Sequence, residues 1–135
     1  MASVEDLAAR DAGVLPVVEP VDVLSLEAAC EAVGRPFVVL DTHDVVDKTG
    51  FMDAVSLALE LPDWFGRNWD ALADCLRDVP PSTVVAWDGW TDLARAAPRE
   101  CEVALEVLAE SGLTVLIINA PADGGHSPAE AERAT

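Results

Sequence analysis

Leu61-Pro62-Asp63-Trp64-Phe65-Gly66-Arg67-Asn68-Trp69-Asp70-Ala71-Leu72-Ala73-Asp74-Cys75-Leu76 puts two aromatics and a glycine in a short loop that runs straight into an acidic helix. Pro62 ends the helix before it, because the residue preceding a proline avoids helical dihedrals. Asn68 is a natural cap for the helix after it, since its side-chain oxygen can accept from a free N–H of the first turn. Trp69, Leu72, Leu76 and Val79 recur at helical spacing and predict a buried stripe over residues 68–79, flanked by Cys75. Pro80-Pro81 stops that helix.

Asp70, Asp74 and Asp78 fall at i, i+4 and i+8. On a helix that spacing lines them along one edge, with neighbouring Cβ atoms about 5–6 Å apart. Like charges so placed repel by a few tenths of a kcal/mol per pair, so helix stability does not favour the arrangement. Three readings are open. The first is a solvated face, its repulsion softened by Arg67 and Arg77. The second is a divalent cation held through water by carboxylates one turn apart. The third is a protein-binding surface. Trp64 and Phe65 stand just before the acids, and aromatics are enriched at interface hot spots. Gly66 allows backbone geometry, or a close approach, that other residues forbid. Carboxylates beside them pair with a partner's Arg and Lys and speed encounter.

Working outward, the segment over residues 14–23 is valine-rich but broken by Pro16 and Pro20, and reads as an extended edge element. A short helix is expected over residues 4–10. Ser25 followed by Leu26 to Val33 and Gly34 reads as a capped and terminated helix. Phe37-Val38-Val39-Leu40 is a continuous apolar run, the pattern of a strand buried on both faces. Thr49 can cap a helix whose stripe is Phe51, Val55 and Leu59. Thr83 to Trp87 predicts a second buried strand, and Thr114 to Ile118 a third. Between them Thr91 or Asp92 starts a short helix, and Pro98 suits the first turn of a longer one ending near Ser111. Three apolar strands separated by helices imply an α/β domain built on a small three-stranded parallel sheet covered by helices. The organisation expected is an N-terminal extension with a short helix (residues 1–35), the α/β domain (36–120) and a flexible acidic tail (121–135).

Composition narrows the function. A chain of 135 residues is long enough for one real core. The net charge of −17 argues against nucleic acid and anionic membranes, which need cationic patches, and fits a basic protein partner. Cys30, Cys75 and Cys101 form no CxxC pair, so no zinc site is expected. No second acidic cluster or catalytic base supports the divalent-cation reading, so no metal is expected beside Asp70 and Asp74 either. Reduced thiols and an N-terminus without a basic and apolar leader point to a cytoplasmic location. His43 reads as part of a turn after the first strand, and His126 lies in the tail. With no nucleophile motif or phosphate loop, no catalytic residue, cofactor or enzymatic activity is expected.

The pattern Leu61-Pro62-x-Trp64-Phe65-Gly66-x-Asn68-x-Asp70-Ala71-Leu72-x-Asp74-Cys75-Leu76 resembles the signature of the barstar family of ribonuclease inhibitors. The resemblance extends over about residues 36–120, where the strands and helices fall in the family's order. It implies a compact barstar-like fold. It also implies one-to-one inhibition of a basic, secreted guanyl-type ribonuclease by plugging its active site. Trp64 then stands at the family's binding-loop aromatic, Gly66 and Asn68 match its loop, and Asp70 and Asp74 match its two key acids. Ala73 departs from the pattern, since barstar carries a large aromatic there. Arg77 departs too, as a cation beside an acidic face. The family's further acidic contact falls at Val107 without gaps, with Glu106 and Glu110 nearby. The alternative is an immunity or regulatory module directed at a partner other than a ribonuclease.

Overall fold

The computed structural model describes residues 3–62 and 65–119. The expectations for Trp64 and for the tail over residues 121–135 lie outside the described residues. The chain runs α1 (Val4–Ala8), β1 (Gly13–Pro16), α2 (Val23–Ala32), β2 (Phe37–Asp41), α3 (Lys48–Leu59), α4 (Trp69–Leu76), β3 (Val84–Asp88), α5 (Trp90–Ala96), α6 (Pro98–Glu110) and β4 (Thr114–Ile118).

All strands are parallel, and the sheet has four of them rather than three, in the order β1-β4-β3-β2. The additional strand, Gly13–Pro16, overlaps the start of the segment read over residues 14–23 as an extended edge element. Proline has no N–H to give a ladder, so it is tolerated only where one side of the strand is unpaired. β1 meets that condition at the edge, paired to β4 alone. The most apolar runs take the centre: every residue of β4 is buried, as is β3 from Val84 to Trp87. The run Phe37-Val38-Val39-Leu40 was expected to be covered on both faces. It is instead the other edge, and only Leu40 is fully buried.

A strand's side chains alternate between faces, so the sheet divides the core in two. On one face Val85, Trp87, Val115 and Ile117 pack with Phe51, Leu72, Leu76 and Leu108 of α3, α4 and α6. On the other, Val84, Ala86, Leu116 and Ile118 pack with Leu7 and Ala8 of α1 and Leu26 and Cys30 of α2. Residues 4–32, through α1 and α2, thus cover a sheet face. α2 carries the chain from one sheet edge to the opposite one. Arg35 anchors this cover. Its guanidinium donates to the carbonyls of Ala8 (2.9 Å), Arg10 (2.7 Å) and Ser82 (2.7 Å) and to Thr114 Oγ1 (2.9 Å).

Several helix ends differ from expectation. α2 begins after Asp22, and Ser25 lies inside its first turn, donating its hydroxyl to Asp22 Oδ2. α3 is capped by Asp47, which accepts from Gly50 N at 2.8 Å, and not by Thr49. The carboxylate two residues earlier reaches the first-turn N–H, leaving Thr49 within the helix. α1 stops at Ala8, short of Arg10, and α4 stops at Leu76, short of Val79. α5 starts at Trp90, after Gly89 rather than at Thr91 or Asp92.

Gly89 is required at the carboxyl end of β3. Its φ is +84°, and a Cβ there would lie 2.5 Å from the backbone N of His43. The close approach lets Thr42, fully buried, donate its hydroxyl to Gly89 O (2.9 Å) while accepting from Trp87 Nε1 (2.8 Å). These bonds tie the ends of β2 and β3 together.

Beside them His43 Nδ1 lies 2.6 Å from Asp41 Oδ1, and Nε2 3.7 Å from Asp88 Oδ1. The Asp41 contact holds the imidazole pKa above its ordinary value, with Asp88, Asp41 and Asp92 adding charge in the same direction. Bonds from the His43 backbone and ring hold Asp41 below the usual carboxylate range.

Two outcomes follow from this architecture. Leu26→Ala, on α2, should cost about 2–5 kcal/mol in urea unfolding, because it opens a cavity in a packed core. A change below about 0.5 kcal/mol, the surface value, would mean that residues 1–35 are a detachable extension. By NMR, His43 should titrate with a midpoint above 6.5, and Asp41→Asn should bring it down. The sign is fixed by linkage. A raised histidine pKa favours the folded state below the unfolded pKa, and that contribution fades as pH rises through the folded one. The lowered Asp41 pKa acts oppositely: its contribution is present above the unfolded carboxylate pKa and fades as pH falls through the folded one.

Candidate protein-binding face

Four anchors position α4. Asn68, in extended geometry, accepts from Ala71 N at 2.8 Å and so caps the helix as expected. Its amide also donates to Gly66 O at 3.3 Å, holding the loop against the helix start. Phe65 is buried in the main core. Leu72, Cys75 and Leu76 are buried along the inner side of α4, while Trp69 and Val79 are half-buried. Trp69 packs tilted on Phe51, with ring centroids 5.6 Å apart, and its Nε1 donates to Glu100 Oε2 at 3.3 Å.

Gly66 does not use its freedom in φ. The space is what matters, since a Cβ there would lie 3.3 Å from Asn68 Nδ2 and 3.4 Å from Ala71 Cβ. Among the described loop residues, Arg67 is left-handed, with φ +53°. Its guanidinium forms an ion pair with Asp53 of α3, which ties the loop to the neighbouring helix and neutralises one cation. Neither Asp53 nor Glu100 stood out in the sequence. Each lies on another helix, and no spacing pattern links it to the loop.

Gly66, Asn68, Asp70 and Asp74 are all exposed, and Ala73 is half-buried. Asp70 and Asp74 share the outer side of α4, one turn apart. Asp70 lies in the first turn, where the helix dipole favours an anion. It makes no ion pair among the described residues. Asp78 is also exposed but lies past the end of α4, where Asp78 N bonds Cys75 O in a tighter turn. The three acids therefore do not share one regular helix. Arg77, the cation expected beside the acidic face, turns back toward it. Its Nη1 lies 3.2 Å from Asp74 Oδ1. Both side chains are more than two-thirds exposed, so the pair is worth at most about 1 kcal/mol.

Glu106 and Glu110 are exposed on α6 and Val107 is half-buried. Burial raises the thiol pKa of all three cysteines, that of Cys101 to about 11. At Cys75 the charges of Asp78 and Asp74 push further the same way. A protonated, buried thiol packs and does not attack. Among the described residues no group of three or more His, Cys, Asp or Glu is placed to hold a metal ion. No described helix is long and apolar enough to cross a membrane.

The family described as Barstar (barnase inhibitor) matches residues 35–121, well over half of the chain. The chain belongs to the barstar family. Among curated proteins none matches it. Barstar-family proteins are inhibitors rather than enzymes, and membership implies, at the level of the family, inhibition of a barnase-type ribonuclease and binding to a ribonuclease partner. The match begins at Arg35, the residue that fastens the N-terminal cover, and includes the loop, α4 and the sheet from β2 to β4.

Removing Arg77 should separate its roles. Arg77→Gln should change unfolding free energy by no more than about 0.5 kcal/mol, as for an exposed pair. In stopped-flow mixing with a basic ribonuclease it should raise the association rate several-fold, since Asp74 no longer meets a competing cation. An unchanged rate would show that Arg77 leaves Asp74 free in solution.

Proposed function

We propose that this barstar-family protein is a cytoplasmic inhibitor that protects its producer from its own secreted guanyl-type ribonuclease. The complex is one-to-one, and the α4 face covers the cationic active site. One observation carries the reading: Asp70 and Asp74 are exposed on the outer side of a capped helix whose inner side is core, within the stretch that the family matches.

The physical logic is direct. A ribonuclease needs cationic groups to hold phosphates. A carboxylate fixed on a rigid helix can take a phosphate's place, pair with those cations and exclude RNA. In this reading Asp74 pairs with active-site Arg or His, and Asp70 pairs with a peripheral Arg or Lys. Trp64 and the backbone from Gly66 to Asn68 cover the guanine-site region, and Ala73 contributes contact area beside Asp74. The net charge of −17 draws a basic enzyme in before contact.

A second reading is favoured by Ala73 and by the Arg77–Asp74 pair. Both alter the surface around the central acid, as a different protein target would require. An immunity or regulatory module of this kind would retain the acidic helix and bind something other than a ribonuclease. Capture from the native cell separates the two by the identity of the protein retained.

Asp74→Ala should weaken inhibition of a basic microbial ribonuclease at least about 30-fold, the size of a hot-spot loss of about 2 kcal/mol. Barnase–barstar is itself a reference case for such hot spots, so this size is carried over from the family rather than read from the structure. Thermal stability should be unaffected, because the side chain is exposed. The wild-type association rate should fall steeply between low and high salt, since the Debye length shrinks from about 10 Å at 0.1 M to about 3 Å at 1 M. Failure of the wild type to inhibit any member of a broad panel would remove the ribonuclease reading.

A further inference from the structure

An apolar groove of about 290 Å³ lies where α3 ends and the chain leaves α4. Val38 of β2, Leu59 and Leu61 from the end of α3, and Val79 and Pro80 beyond α4 form its aliphatic walls. Two exposed carboxylates from different elements line it, Glu60 and Asp78. Glu60 is the left-handed C-cap of α3, with φ +50°. Among the described residues no Lys or Arg lines the groove, and neither carboxylate is in an ion pair.

Thr83 supplies a second, independent observation. It also lines the groove, is 2% exposed, and its hydroxyl has no hydrogen-bond partner among the described residues. Buried hydroxyls are ordinarily bonded, so an incoming N–H donor would complete it.

Small-molecule pockets usually run from about 300 to 1,000 Å³, so this groove suits one long side chain better than a cofactor. Aliphatic walls with paired carboxylates fit one side-chain class closely. Lysine and arginine lay their methylene stems on apolar surface and keep the charged head among polar groups. Arginine has five N–H donors to share among carboxylates and a hydroxyl.

The groove also borders the end of the helix that carries Asp70 and Asp74. Asp78 lies just past the end of α4, and Cys75, on the inner side of that helix, also lines the groove. We infer that the groove is a subsite for one arginine or lysine side chain of the basic protein that meets α4. The inference rests on the function proposed above and adds a second anchoring point beyond Asp74.

The test uses the full-length protein and n-butylguanidinium as probe, with n-butylacetamide as its uncharged counterpart, followed by NMR. The expected result is saturable shifts at Glu60, Val79 and Thr83, at least fivefold stronger affinity for the cation, and loss of that preference in Glu60→Gln/Asp78→Asn. Both substitutions are on exposed side chains, so the fold should survive them. Equal binding of the neutral probe, or shifts confined to Asp70 and Asp74, would overturn the inference. So would the absence of saturable shifts in the groove. No ribonuclease is needed for this measurement. A failed inhibition panel therefore leaves the groove result standing, and a failed probe leaves the role of Asp74 standing. With a ribonuclease that the wild type inhibits, the double variant should weaken inhibition at least fivefold. Undiminished inhibition there would also count against the subsite.

Discussion

An all-parallel sheet has no face that tolerates water, and the architecture follows from that constraint. β3 and β4 are apolar on both sides, so helices must cover each face. α3, α4 and α6 cover one, and α1 and α2 the other. The cover formed by the N-terminal residues completes the second apolar layer, and Arg35 fastens it with four hydrogen bonds to three separate segments. The acidic face of α4 lies on the opposite layer. The N-terminal elements thus act on the face through stability of the sheet, and not by standing in front of it.

α4 gains its rigidity from that layering. Its inner side is committed to the core through Leu72, Cys75 and Leu76. The preceding loop is held by Phe65 in the core, by the Asn68 cap and by the Arg67–Asp53 pair. Carboxylates on such a helix lose little freedom when a partner meets them, which keeps the entropy cost of association low. The same anchoring leaves the outer side with few internal obligations.

Much of this could be read from the sequence, for identifiable reasons. The runs at Phe37, Val84 and Thr114 announced strands because continuous apolar residues admit few alternatives. Asn68 announced a helix start because its side chain suits a cap. The motif around Trp64 to Asp74 carried the family. What escaped depended on partners distant in the chain. β1 fits the extended edge element read over residues 14–23, but its place as a fourth strand comes only from pairing with the distant β4. The caps shifted from Ser25 and Thr49 to Asp22 and Asp47, since competing polar residues sit within three positions of each helix start. The Glu100 contact to Trp69 and the Asp53 contact to Arg67 arise from helix packing, which one sequence does not encode in any spacing.

Asn68 joins two requirements in one side chain, with Oδ1 holding Ala71 N and Nδ2 holding Gly66 O. Substitution there disturbs the loop and the helix together, so variation that retunes recognition has little room at this position. Ala73 and Arg77 are different. Neither side chain carries a bond on which the fold relies, and both flank Asp74. Divergence toward a new target, in nature or in a selection experiment, should accumulate at those two positions while Asn68 stays fixed. An inhibitor of this build can change its preference without first surrendering the helix that presents it.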